Sequence, residues 1–223
     1  KKIPAYKNLD IQPFYQALPF NLTGAQKRAI EEIMHDVSSG APMNRLVQGD
    51  VGSGKTMVAA AAAFAAAKNG KQSALMAPTE ILARQHYEDL SELFGKLGIE
   101  VALLIGATPA KEKRRIYSAL SAEDPLARLP IVIGTHALLS EGVQFSALSL
   151  VVTDEQHRFG VAQRSALSAK GKDPHLLVMS ATPIPRTLAL LMYGDLEVSI
   201  INELPPGREP VDTFLVDESY RPR

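Results

Sequence analysis

The chain has 223 residues, 24 basic and 24 acidic side chains and no formal net charge. That is room for one substantial domain, and it excludes a protein working only by blanket neutralisation of phosphates, which would be basic. Any contact with nucleic acid has to be local or shared with other parts. The absence of cysteine excludes disulfides and thiolate metal sites, and 46% apolar with 22% charged residues is an ordinary globular composition rather than a disordered one.

Residues 1–19 carry Pro4, Pro13 and Pro19 and no clear hydrophobic period. They read as a lead-in from a preceding domain. The chain opens on Lys1 rather than methionine, with no apolar signal core after Lys7, so it reads as a piece of a longer protein. From there short β-rich runs at 45–48, 73–77, 101–105, 131–134, 148–153, 176–180 and 196–201 alternate with helical patterns. The helical patterns fall at 23–38, 55–69, 79–97, 109–120, 161–169 and 185–192. The most apolar run, 57–67, is about half the ~20 residues needed to cross a bilayer; its alanines suit a buried helix lying close to a sheet. The tract 121–130 is polar and bounded by proline, a surface loop. Near-continuous apolar strands separated by helices predict a parallel sheet covered on both faces, a doubly wound α/β domain over 20–204. Pro205-Pro206-Gly207-Arg208-Glu209-Pro210 breaks the pattern. The alternating run 211–216 then reads as the first strand of a second domain.

Gly49-Asp50-Val51-Gly52-Ser53-Gly54-Lys55-Thr56 is a complete phosphate-loop pattern between a predicted strand and a predicted helix. Glycines at Gly49, Gly52 and Gly54 let the backbone curl so that successive N–H groups, Ser53 included, face phosphate oxygens, and the helix N-terminus favours the anion. Lys55 is placed to reach the β- and γ-phosphates, and the Thr56 hydroxyl to ligate Mg²⁺. A dinucleotide fingerprint fails, because no third glycine follows Gly52 and Gly54 at the required spacing.

The run 148–153 ends in Asp154-Glu155-Gln156-His157. Ligands sit at the carboxyl ends of strands in an open parallel sheet. Asp154 is therefore a candidate Mg²⁺ ligand and Glu155 a candidate to polarise an attacking water; taken alone, two neighbouring carboxylates could equally be a surface turn.

Asp154-Glu155-Gln156-His157 resembles the DExH box of superfamily-two helicases, and its continuation Arg158-Phe159-Gly160-Val161 is similar to the RecG and transcription-repair coupling (Mfd) families. Ser180-Ala181-Thr182-Pro183-Ile184-Pro185-Arg186-Thr187 resembles the same branch's third motif. The phosphate loop, Ala77-Pro78-Thr79-Glu80-Ile81-Leu82-Ala83 and Gly134-Thr135-His136-Ala137-Leu138 look most like the RecG family. The ordered motifs cover roughly residues 19–216. The resemblance implies a RecA-like ATP-binding domain, the first of two motor domains of a helicase or translocase acting on replication forks and Holliday junctions in recombination and repair, in the bacterial cytoplasm.

By the same resemblance Gln26 contacts adenine and Phe20 stacks on the base, although Thr23-Gly24-Ala25-Gln26 is also a good capping box. His157 couples the nucleotide site to Ser180 and Thr182, which could otherwise simply cap the strand end. Pro78, Thr79 and Arg84, with Thr135 and His136, lie along one DNA strand, where hydroxyls and helix N-termini grip phosphate without reading sequence. Thr79 serves equally as a plain N-cap, and His136 as a loop histidine. Lys111, Lys113, Arg114 and Arg115 read as a solvated helix face. The resemblance places arginine fingers on the second motor domain and a branched-DNA wedge on an upstream domain. The chain alone is therefore expected to bind Mg-ATP or ADP, hydrolyse poorly and not unwind DNA. An Mfd-type translocase, a P-loop phosphotransferase and a nucleotide-binding module without turnover are the competing readings.

Overall fold

The structure, a computed structural model, describes residues 1–50, 54–155 and 161–202, apart from the side chains of Val161, Arg186 and Tyr193. Readings that fall on Gly52, Ser53, His157 and residues 203–223 lie outside that set.

Among the described residues seven strands form one sheet: β1 (Asn44–Gln48), β2 (Gln72–Met76), β3 (Val101–Leu104), β4 (Ile131–Gly134), β5 (Leu148–Glu155), β6 (His175–Ser180) and β7 (Glu197–Ile200). Their order is β3-β4-β2-β5-β6-β1-β7, and every neighbouring pair is parallel. Helices α2 (Gly24–Val37), α3 (Lys55–Lys68) and α4 (Glu80–Gly95) cover one face, while α5 (Ala110–Ser121), α6 (Val161–Ser168) and α7 (Arg186–Tyr193) cover the other. This is the doubly wound α/β fold expected from the apolar runs, which apart from the edge strand β7 are largely buried on both faces and so show no alternation.

Along β5 the side chains divide by strand periodicity. Leu150 and Val152 join the core under α2, α3 and α4, and Val151 joins the core under α5 and α6. The alanines of α3 are buried all round its circumference, so the helix sinks between the sheet and its neighbours.

Residues 1–19 send two side chains, Tyr6 and Phe14, into this core. Pro13 opens a six-residue helix, α1 (Gln12–Ala17), whose Phe14 is fully buried with its ring centroid 5.9 Å from that of Phe64. Tyr6 is buried too, and its backbone N–H donates to Val37 O at 2.9 Å. A helix this short offers one buried side chain and no measurable period, which needs a window of at least ~11 residues.

Two polar side chains in the core are anchored by hydrogen bonds, though among the described residues Nε2 of His175 and Oγ of Ser73 are buried without one. Arg45 of β1 bonds Asp36 and Glu32 of α2 and Ser199 of β7. His175 starts β6 with no exposure; its Nδ1 accepts from Met43 N–H at 2.8 Å and its ring meets Tyr6 edge-on. Burial pushes His175 down to about 4, against the smaller opposing pull of Asp36, and burial pushes Tyr6 up to about 12.

The His175 shift has a defined consequence for stability. Between pH ~6.5 and ~4 the unfolded imidazole takes up a proton that the folded one refuses, so stability is complete above that window and falls as pH drops through it. In urea unfolding, a His175→Gln variant is expected to lose about 3 kcal/mol less than wild type between pH 7 and pH 4, because the amide can still accept from Met43 without titrating. Parallel pH profiles for the two proteins would contradict this.

Candidate nucleotide site

Because the sheet is parallel, all the strand carboxyl ends share one edge, and the signature residues gather there. After β1, Gly49 N–H donates to Ser180 O at the end of β6, 3.1 Å away. Gly54 caps α3 in the left-handed region, φ 86°. A Cβ at Gly54 would also displace the end of the Gln26 side chain, but it is the backbone conformation that demands glycine.

Gln26 is buried and does two things. It completes the capping box of α2, its Oε1 accepting from Thr23 N–H at 2.8 Å while Thr23 Oγ1 accepts from Gln26 N–H at 3.1 Å. Its Nε2 also donates to Gly54 O at 3.3 Å. The cap therefore holds the glutamine against the phosphate loop.

Lys55 Nζ donates to Gly49 O at 2.6 Å and Asp50 O at 3.3 Å. Burial pulls this ammonium below the ordinary lysine range, while the nearby Asp154 and Asp50 carboxylates act in the other direction. Asp154 thus lies within electrostatic reach of Lys55. Thr56 is half-buried in the first turn of α3.

The two carboxylates at the end of β5 part company. The strand runs on to Glu155, with Asp154 beside Met179 and Glu155 beside Ser180 of β6, so they take opposite faces. Asp154 Oδ2 lies 2.7 Å from Nε2 of His86 on α4. Glu155 Oε1 instead accepts from Arg164 Nη1 of α6 at 2.9 Å and from Thr153 Oγ1 at 3.4 Å. Both side chains of the Glu155–Arg164 pair are more than nine-tenths buried, and Arg164 Nη2 donates to Met192 O of α7 at 3.4 Å. Glu155 is therefore not brought beside Lys55 in this conformation; the pleat directs it away.

Ser180 and Thr182 are joined locally: Ser180 Oγ accepts from Thr182 N–H and donates to Thr182 O, each at 3.2 Å. Ser180 is buried and touches the phosphate loop through its carbonyl, whereas Thr182 is exposed.

The remaining signature residues form a shelf at the carboxyl ends of β2 and β4, which are sheet neighbours. Thr79 caps α4, its Oγ1 accepting from Leu82 N–H at 3.2 Å. Thr135 is buried and accepts from Ala137 N–H at 3.5 Å, capping the 3₁₀ turn His136–Leu139. Thr79, Arg84 and His136 are exposed and Pro78 half-buried. Phe20, 47% exposed, lines a groove of about 340 Å³ with Pro19, Met57 and Leu93, one residue beyond Thr56 in the chain. On α5, Arg115 is held by Glu112 and Glu100, a solvated ion-pair face as expected.

His86 and Arg164 were not singled out by sequence. Their signal is a polar side chain on an apolar stripe. His86 falls between Ala83 and Leu90, and Arg164 lies three positions before Leu167; all five are buried.

Fold and site together define a phosphate-loop, RecA-like nucleotide-binding domain. The profile of the DEAD/DEAH box helicase family matches residues 23–191, and the chain belongs to that family. It is 54% identical to the ATP-dependent DNA helicase RecG of Synechocystis sp. over 96% of this chain and 25% of that protein. It is 57% identical to the same helicase of Thermotoga maritima over 92% of this chain and 26% of that protein. A solved structure of RecG bound to a three-way DNA junction superposes with a TM-score of 0.80 at 51% identity, over 94% of this chain and 28% of that one. The DUF1998 helicase MrfA bound to DNA shares the fold, with a TM-score of 0.66 at 19% identity over 91% of this chain and 31% of that one. The chain spans about a quarter of the length of the first two relatives. Among the described residues no helix is long and apolar enough to cross a membrane.

Proposed function

We propose that this domain binds ATP with Mg²⁺ and serves as the first motor domain of a RecG-type DNA helicase that remodels branched DNA in the bacterial cytoplasm. The observation that carries the reading is that Lys55, bonded into the loop after β1, and Asp154, near the end of β5, lie on the same carboxyl edge of one parallel sheet, beside the shelf of Thr79, Arg84 and His136. A phosphotransferase would have no use for that shelf.

The Thr56 hydroxyl and the Asp154 carboxylate are hard oxygen donors, which suits Mg²⁺. Bound there, the ion would neutralise charge on the β- and γ-phosphates. Lys55 exchanges its two loop carbonyls for phosphate oxygens, and Phe20 with Gln26 flanks the base. Glu155 polarises the attacking water only after leaving Arg164 for the loop side, a movement in which His157 and the Ser180–Thr182 pair take part. Thr79, Arg84, Thr135 and His136, with Pro78, follow a DNA backbone. A second motor domain would add arginine fingers, whose loss costs ~10³–10⁵ in rate, and an upstream wedge domain would grip the branch point.

The test is ATP turnover by the full-length protein with a three-way junction, with unbranched duplex and without DNA. Strong stimulation by the junction is expected. Turnover that needs a different phosphoryl acceptor, or none at all beside intact ADP binding, would reject the motor reading.

A further inference from the structure

Among the described residues Asp154 is held from the side, by His86, through a span of 68 residues in the chain. His86 sits in the second turn of α4, whose N-cap is Thr79 and whose first turns carry Arg84. Its ring is on the inward stripe with Ala83 and Leu90, and the two bonded side chains are only 10% and 16% exposed. The hydrogen bond is therefore made in a dry environment, where such a bond fixes an orientation more firmly than in water. Among the described residues it engages one carboxylate oxygen, Oδ2, and Oδ1 carries no hydrogen bond.

We infer that His86 is a positioning residue that couples DNA engagement to the metal site: it links the DNA-facing end of α4 to the carboxylate that holds Mg²⁺. The inference rests on the reading of α4 given under the proposed function. A helix moves as a rigid element, and Thr79 lies about 10 Å along the axis from His86 at 1.5 Å per residue. A small tilt of the first turns toward a phosphate backbone therefore displaces Nε2 directly. The Asp154 carboxylate follows, because its other attachment is the strand. An imidazole N–H suits this task, since it donates to the carboxylate and leaves the negative charge available to a cation. Outer partners of metal-holding carboxylates commonly contribute 10–100-fold to metal affinity or activity.

The test uses the full-length protein with His86→Ala and His86→Gln. It measures the Mg²⁺ concentration giving half-maximal ATP turnover, with and without three-way junction DNA, alongside ADP affinity in EDTA and the melting temperature. His86→Ala is expected to raise the Mg²⁺ requirement ~10-fold or more and to shrink the ratio of DNA-stimulated to basal turnover. ADP affinity in EDTA and junction affinity should hold even where the lost buried hydrogen bond lowers the melting temperature, and His86→Gln should recover both losses. An unchanged Mg²⁺ requirement with unchanged stimulation overturns the inference. So does a parallel loss of Mg²⁺-free ADP affinity and melting temperature, the mark of a merely structural histidine. Wild-type turnover indifferent to DNA would instead defeat the proposed function and with it the DNA half of the coupling; the Mg²⁺ titration would then decide alone whether His86 sets Asp154.

Discussion

Replacing Lys55 with alanine is expected to weaken ATP and ADP binding by ~10²–10³-fold, equivalent to about 3–4 kcal/mol. The ammonium is the only described cation bonded into the phosphate loop, where it already reaches the carbonyls of Gly49 and Asp50. A charge-assisted contact to phosphate in a half-buried site is among the strongest a side chain can make. The fold should not suffer. Burial lowers the Lys55 pKa, so the folded chain disfavours its charge relative to the unfolded one, and the melting temperature of the variant is expected to hold or rise. Calorimetric titration with ADP and a thermal melt on the same sample separate the two effects. Unchanged affinity would remove the basis for a nucleotide site here.

Arg164→Ala should produce the opposite pattern, a large loss of stability. Its guanidinium joins Glu155 of β5 to the Met192 carbonyl of α7 from a position on α6, so three elements meet on one side chain. Removing one member of a buried ion pair takes from the other its charge partner, and such changes cost up to about 3–5 kcal/mol. Urea unfolding at pH 7 measures it. Arg164→Lys should recover only part, since a single ammonium lacks the planar fork that serves both acceptors. Pairing Arg164→Met with Glu155→Gln should be milder than Arg164→Ala alone, because no charge is then left buried. A loss below ~1 kcal/mol for Arg164→Ala, the range of an exposed pair, would mean that Glu155 is anchored by something else.

The strand and helix positions were legible to within a residue or two because hydropathy, capping and turn chemistry act over short distances. The instructive departure is at β5. Read by apolarity, the strand stops at Thr153; read by hydrogen bonds to β6, it continues through Asp154 and Glu155. Those two residues carry no hydrophobic signal, yet their inclusion in the ladder puts them on opposite faces. The pair that looks like one catalytic unit in the sequence is thereby divided between α4 and α6. The helix at Gln12–Ala17 escaped notice for a related reason: its single anchor, Phe14, gains meaning only against Phe64.

What the residues determine unaided is the chemistry of contiguous stretches. Gly54 must be glycine at a left-handed turn, Thr23 and Gln26 close a capping box, and the phosphate loop lies between a strand and a helix; each depends on neighbours a few positions away. Only the tertiary structure decides that β4 lies between β3 and β2, that His86 meets Asp154, and that Arg164 holds Glu155 away from Lys55. Those pairings depend on which surfaces come together when the sheet closes under its helices, and no local preference encodes a partner that distant in the chain.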